Sequence, residues 1–122
     1  MLRSIIAVTS AGTTGAAIGT TTNTPYYEGE LHAVYVEYAA TMTATTTARL
    51  SLADPSLALL TLTATAGGWF FPRLVSSSNA GAAQPATAGV FAYPVTGHLV
   101  GTVATAAPAT DACKFTVYIK EN

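Results

Sequence analysis

The stretch from Leu57 to Val75, LALLTLTATAGGWFFPRLV, constrains the fold more than any other part of the sequence. Its first nine residues alternate, with Leu60, Leu62 and Ala64 on one side and threonines on the other. Alternation with period two, rich in β-branched residues, predicts a strand with one buried face. The glycine pair that follows predicts a turn, because glycine reaches positive φ without a steric clash.

An aromatic cluster, Trp69-Phe70-Phe71, begins a second predicted strand that ends at Val75. Large apolar side chains would point to both faces of this strand, so both faces are expected to be covered. We interpret Trp69 and Phe71 as core residues, since aromatic side chains dominate protein cores. Pro72 has no N–H to donate, which predicts an edge strand or a break at that position.

Charged residues are scarce: they make up 9% of the 122 residues, against about 25% in typical domains. Threonine and alanine, at 21 and 24 residues, take their place. This composition suits β structure and a surface that meets other protein, so we expect one domain that is a subunit of an assembly. Arg73 is the only charged residue between Pro55 and Thr110, and we expect it to meet a carboxylate or carbonyl at an interface.

The same totals argue against several classes of partner. A net charge of −1 predicts no binding to nucleic acid or to an anionic membrane surface, and no apolar stretch approaches the length of a membrane span. The apolar run near the amino terminus stops at Thr9, too short for the core of a signal peptide, and is interpreted as a strand. Cys113 is the single cysteine, so neither an internal disulfide nor a cysteine metal cluster is expected, and folding in a reducing cytoplasm fits.

Short alternating segments separated by turn signals predict an all-β fold of about eight antiparallel strands, a β-sandwich or barrel of which the jelly roll is one form. No helix is predicted. The predicted strands are Arg3–Thr9, Glu30–Tyr38, Met42–Leu52, Leu57–Thr65, Trp69–Val75, Val90–Tyr93, His98–Thr105 and Cys113–Lys120.

Three of these strands carry specific face assignments. In Glu30–Tyr38, one face is predicted to hold His32, Val34, Val36 and Tyr38, and the other Leu31, Ala33, Tyr35 and Glu37. In Met42–Leu52, the inward residues are expected to be Met42, Ala44, Ala48, Leu50 and Leu52. In Cys113–Lys120, the inward residues are expected to be Cys113, Phe115, Val117 and Ile119, with Lys114, Thr116, Tyr118 and Lys120 outward.

The segment 10–25, SAGTTGAAIGTTTNTP, has no periodicity and is long for a structureless loop. It is either a solvated loop or an extended arm that lies on a neighbouring molecule. We therefore divide the chain into an N-terminal strand and extended arm, residues 1–29, and a β-sandwich domain, residues 30–122. A turn is expected at Asp54-Pro55-Ser56, and a second long loop of small and polar residues at 76–89. The candidate interface residues are Trp69, Phe70, Phe71, Arg73, Tyr26, Tyr27, Thr20, Thr21 and Thr22.

No motif for catalysis is present, and we expect no enzymatic activity, cofactor or metal. His32 and His98 lack another ligand at metal-binding spacing. A Ser–His98–Asp set or a carboxylate pair among Glu28, Glu30 and Glu37 could be assembled in space, but nothing local marks a nucleophile or an acid.

Three segments carry a resemblance: WFFPR (69–73), YPVTGHLVGTV (93–103) and FTVYIKE (115–121). Together, over residues 30–121, they resemble a family of small structural proteins encoded by tailed bacteriophages. The resemblance implies a β-sandwich or jelly-roll protein that decorates the capsid, bound to the major capsid protein on the virion surface after synthesis in the host cytoplasm. It also implies a homo-oligomer, with a trimer favoured.

Two alternatives remain open at this stage. A head–tail connector or tail component would share the fold and composition. A carbohydrate- or receptor-binding module would use Trp69, Phe70 and nearby tyrosines as an exposed stacking platform, and the exposure of Trp69 is the feature that bears on it.

Overall fold

The computed structural model describes residues 1–22, 24–53, 57–63, 67–75 and 90–121. Within them the chain forms eleven β-strands and no helix, which confirms the predicted all-β class. The strands are β1 (Leu2–Ser10), β2 (Ala17–Thr21), β3 (Tyr27–Tyr38), β4 (Thr47–Leu52), β5 (Leu57–Leu62), β6 (Gly68–Phe70), β7 (Arg73–Val75), β8 (Val90–Ala92), β9 (Pro94–Gly97), β10 (Leu99–Ala106) and β11 (Ala109–Glu121).

The strands form two main sheets, in which every pairing is antiparallel. The five-stranded sheet has the order β1-β11-β3-β6, and β9 also pairs with β3. Both short strands lie along one edge of β3, β9 beside residues 27–30 and β6 beside residues 34–36. The four-stranded sheet has the order β2-β10-β4-β5, and β7 pairs with β8 in a separate ribbon.

The number of strands exceeds the predicted eight for identifiable reasons. The segment 10–25 was interpreted as a solvated loop or an extended arm, which is wrong for residues 17–21, since β2 there pairs with β10 of the same chain. The predicted strand 69–75 breaks at Phe71-Pro72 into β6 and β7, as the proline suggested. The predicted strand Val90–Tyr93 ends at Ala92 as β8, and a further strand, β9, begins at Pro94, a position where the missing N–H of proline is tolerated.

The two sheets meet along β1 and β2, where the assembly curls. Ala11 and Ile18 form an isolated bridge, and the Thr21 hydroxyl donates to the Ala7 carbonyl at 2.6 Å. Gly19 makes this approach possible, because a Cβ at that position would lie 2.2 Å from the Thr9 carbonyl oxygen. The curl brings the inner faces of both sheets together around one core.

That core is centred on β11, whose inward side chains are Cys113, Phe115, Val117 and Ile119, all fully buried as predicted. Opposite them, Gly101 of β10 leaves room for the facing sheet. A Cβ on Gly101 would lie 2.9 Å from Val8 Cγ2 and 3.1 Å from Ile6 Cγ2. The sheets therefore interlock most tightly where β10 passes over β1 and β11.

The face assignment predicted for β3 is wrong in one half of the strand, because the strand contains a bulge. Opposite β11, Ile119 pairs with Leu31 and Tyr118 with Ala33, which leaves His32 as the extra residue. A bulge reverses the alternation beyond it. Leu31 is thus buried on the same side as Val34, while His32 lies exposed on the other side.

The strand predicted for Met42–Leu52 exists only from Thr47 onward, as β4, although Met42 packs against the core as expected. Ala48, Leu50 and Leu52 are buried as expected, but Ala44 lies exposed in a turn before β4. Ser51 is buried as well, next to a register shift between Leu50 and Ser51. The turn expected at 54–56, the loop expected at 76–89 and the end of the alternating segment at 64–65 lie outside the described residues.

Candidate protein-interaction surface

The outer face of the five-stranded sheet carries a cluster of exposed and partly exposed aromatic residues. Its members come from three different strands and the residues next to them, and we call them the aromatic face: His32, Tyr35, Trp69, Phe71 and Tyr118. The strand register explains how they meet. Thr116 of β11 pairs with Tyr35 of β3, which in turn pairs with Trp69 of β6, and Tyr118 pairs with Ala33.

Trp69 is the centre of this cluster. Its ring centroid lies 5.0 Å from that of Tyr35 and 5.4 Å from that of Tyr118, and both rings are tilted against it. Phe71 stacks nearly parallel to it at 6.5 Å, and His32 meets Phe71 edge-on. Tilted and offset rings at these separations attract one another, so the cluster is a preformed unit.

A shallow groove of about 410 Å³ runs beside this cluster. Its lining consists of Met1, His32, Ala33, Trp69, Phe71 and Tyr118. Ala33 forms the low point, because it is only 2% exposed and pairs with the larger Tyr118 of β11. None of the six lining side chains bears a carboxylate or an amide, so the groove offers mainly apolar contact.

The prediction that Trp69 and Phe71 are core residues is wrong within the described chain. Trp69 is 54% exposed and Phe71 is 57% exposed. Phe70, between them, is partly buried and packs against the core cluster. The alternation of the three residues was therefore predicted correctly, but the side assigned to the core was not.

Arg73 lies where the edge of β3 has no strand beside it. Its Nη1 donates to the carbonyl of Pro72 at 2.7 Å and to that of His32 at 3.1 Å. The expected carbonyl partner is therefore present, and it belongs to the same chain. The guanidinium satisfies backbone groups in the gap between β9 and β6, at the bulge of β3.

The remaining candidate interface residues lie away from the aromatic face. Tyr26 is 61% exposed and packs edge-on against His98. Tyr27 is wholly buried, with its hydroxyl 2.7 Å from the Ser4 hydroxyl, so it offers no surface within the described structure. On β2, Thr20 is exposed and Thr21 is partly buried. Thr22, which follows the end of β2, is also exposed.

Several members of the aromatic face were not among the candidate residues. Tyr118 carried a usable signal, because the alternation of β11 placed it outward. Tyr35 was assigned correctly to the face opposite Val34 and Val36, but nothing in its own strand showed that this face is open. His32 could not be found, because its orientation depends on the bulge.

The structure describes most of the residues that were considered for catalysis. His98 Nδ1 lies 2.7 Å from the Thr24 carbonyl oxygen, and Asp54 lies outside the described residues. Glu28, Glu30 and Glu37 are exposed on β3. Among the described residues, no group of three or more His, Cys, Asp or Glu side chains could hold a metal ion.

The side chains of Cys113 and Tyr38 both have raised pKa values. Burial raises the pKa of the Cys113 thiol to about 12. Burial, and after it the neighbouring Cys113, raise the pKa of Tyr38 to about 12. Cys113 is therefore a neutral core side chain at physiological pH, without the thiolate character that reactive cysteines have.

Among the described residues, no helix has the length and apolar character that a membrane crossing requires. Comparison of the chain with protein-family models, with curated proteins and with solved structures finds no match.

Proposed function

We propose that this chain is a structural protein of a phage particle, which binds the outside of the capsid and stabilises the shell by bridging capsid subunits. The observation that carries a structural, protein-binding role is the aromatic face. Trp69, Phe71 and Tyr118 form a preorganised apolar patch on a rigid sheet. Tryptophan, tyrosine, phenylalanine and methionine are enriched in the cores of protein interfaces, and charged residues are depleted there.

The capsid as the partner rests on the resemblance of residues 30–121 to small phage structural proteins. On the same resemblance, we propose that the two sheets are arranged as in a jelly roll. The low charge of the chain fits a subunit that is bound to other proteins, since a free monomer with so few charges is poorly protected against non-specific association.

The physical basis of shell stabilisation is multivalency. A shell subunit must stay in place against the pressure of the packaged genome. A small rigid domain that contacts two neighbouring subunits makes the second contact intramolecular, so modest contacts combine into tight binding. A sheet-based domain suits this role because its contact residues are held by continuous backbone hydrogen bonds.

The test is the copy number of the chain in purified virions of the phage that encodes it, measured by quantitative mass spectrometry beside the major capsid protein. One copy per capsid subunit, or one per two or three, supports decoration. About a dozen copies or fewer would replace this function with a connector or tail role. Absence from particles would refute a virion role altogether.

A second candidate function is a carbohydrate-binding module, because an exposed tryptophan is the feature such a module needs. Trp69 and Phe71 meet that requirement. Sugar recognition also needs polar groups beside the ring that orient the hydroxyls, and the groove lining bears no carboxylate or amide. Glycan-array binding that disappears in Trp69→Ala would favour this candidate, and an array without hits would remove its support.

A further inference from the structure

The charges around the aromatic face follow a pattern set by the strand register. Lys120 of β11 pairs with Glu30 of β3 at one end, and Lys114 of β11 pairs with Glu37 of β3 at the other. These two charged rows are six residues apart along β11, about 20 Å. In both rows the lysine stands on β11 and the glutamate on β3. The rows between them carry the aromatic face, with Arg3 at the β1 end of one row.

We propose that a second copy of this chain docks on the aromatic face through a two-fold axis that runs parallel to the strands, between β11 and β3. Such an axis places β11 of one copy opposite β3 of the other copy. Each lysine of β11 then faces the corresponding glutamate on β3 of the second copy, which gives four opposite-charge pairs. The inference rests on the aromatic face being a protein-binding surface, and it does not require the capsid.

The alternative two-fold axis, perpendicular to the strands in the plane of the interface, gives the opposite result. It would place Lys120 against Lys114 and Glu30 against Glu37 of the second copy. Like charges brought together at an interface are unfavourable. The charge pattern therefore selects one of the two face-to-face arrangements.

The apolar rows fit the same axis by size. One row across the sheet reads Ile5, Thr116, Tyr35 and Trp69 from β1 to β6. The axis opposes Trp69 with Ile5 and Tyr35 with Thr116 of the second copy.

In the next row, Tyr118 faces the Ala33 position of the second copy, which is a low point of the sheet because Ala33 is only 2% exposed. Trp69 and Tyr118 thus meet positions with smaller side chains, which lets two sheets pack face to face at about 10 Å. Arg3 lies on β1 and pairs with Tyr118 of β11. In the proposed dimer it lies opposite Phe71 of the second copy, the residue that follows β6.

The first experiment measures the solution mass of the full chain by light scattering and sedimentation equilibrium over a dilution series. We expect a reversible species of twice the 12.4 kDa chain mass, which Trp69→Ala converts to monomer. Ile18→Ala is the matched control. Ile18 is 66% exposed but lies on β2 of the other sheet, so its removal should leave the dimer intact.

Trp69 also supplies a direct signal, because it is the only tryptophan in the chain. Its emission should shift to longer wavelength on dilution, as the ring leaves the interface and becomes hydrated. An emission maximum that stays constant while the mass falls from dimer to monomer would place the contact elsewhere and overturn the proposal.

The second experiment tests the charge pattern itself. Lys114→Glu/Lys120→Glu makes both rows negative, and Glu30→Lys/Glu37→Lys makes both rows positive. Each variant alone should be monomeric, and an equimolar mixture should form a heterodimer. Circular dichroism of the separate variants establishes that each is folded.

The outcomes separate this inference from the proposed function. A monomer at all concentrations, a trimer, or charge variants that still form homodimers would overturn the two-fold docking. None of these results changes the copy-number test on virions. A dimer in solution from a chain missing from particles would instead support this inference and refute the capsid role.

Discussion

Arg73 Nη1 donates a hydrogen bond to the main-chain carbonyl of His32 at 3.1 Å, at the bulge of β3. On one side of this point β9 pairs with β3, and on the other side β6 does. A single side chain thus replaces the backbone partner that neither strand supplies. The sequence separation of 41 residues makes this contact a clasp between the segment after β6 and the centre of the sheet.

Removal of this clasp should lower stability. Arg73→Met is expected to decrease the free energy of unfolding by about 1–2 kcal/mol, because charge-assisted hydrogen bonds to backbone carbonyls are lost. Arg73→Lys should recover part of this loss, since an ammonium lacks the planar fork. Urea unfolding measures both. Arg49→Met is the control, because its side chain is exposed on β4, and its effect should stay within about 0.5 kcal/mol. An equal effect at both positions would refute the clasp.

Trp69→Ala should be far milder than a core truncation. We expect a loss of about 1 kcal/mol, because half of the ring already faces solvent and only its contacts with Tyr35 and Tyr118 disappear. Leu50→Ala, at a fully buried position, should cost about 2–5 kcal/mol. Denaturant unfolding in dilute solution compares the two. A loss at Trp69 as large as that at Leu50 would mean that the tryptophan is buried after all.

Stability should fall in alkaline solution. The pKa of Cys113 rises from its ordinary 9.0 to about 12, and that of Tyr38 from 10.0 to about 12. Because both groups are neutral when protonated, the folded state holds these protons more tightly than the unfolded chain. Their contribution is complete below about pH 9 and is lost as the pH rises toward 12.

Unfolding free energies measured between neutral pH and about pH 11 should show this decline. Cys113→Ala should have a shallower decline than the wild type, since the group with the lower ordinary pKa is gone. Identical slopes for the two proteins would exclude the thiol as a cause.

Tyr38→Phe should be neutral or stabilising at pH 7. The Tyr38 hydroxyl is buried without a hydrogen-bond partner among the described residues. Removal of an unsatisfied buried polar group avoids its desolvation cost and keeps the ring in place. Tyr27→Phe is the matched comparison, because it removes a hydroxyl that lies 2.7 Å from that of Ser4, and it should be destabilising. A clear loss of stability in Tyr38→Phe would reveal a partner for this hydroxyl.

The sequence predicted β11 best, and for a simple reason. Cys113, Phe115, Val117 and Ile119 alternate with polar residues without interruption, so a shift of the register by one residue would move the whole apolar set from the core to the outer face. β2 could not be predicted, because AIGTT has no hydrophobic period and is a strand only through its pairing with β10.

The aromatic face was predicted in part. Trp69, Phe71 and Arg73 were recognised as the distinctive residues of the chain, while His32 and Tyr118 were not. An aromatic triplet followed by proline is visible in any sequence. The neighbours that make it a surface come from β3 and β11, about 35 residues before it and about 50 after it, and only strand pairing brings them together.

By itself, the sequence determined the all-β class, the strand β11 with its buried face, and the break at Pro72, because these depend on alternation and on the missing N–H of proline. Only the tertiary structure decided that Trp69 faces outward and Leu31 inward. Alternation states which side chains share a face of a strand, but not which face another sheet covers. That choice depends on the bulge at His32 and on the packing of the second sheet against β11, and both arise from contacts between residues far apart in the chain.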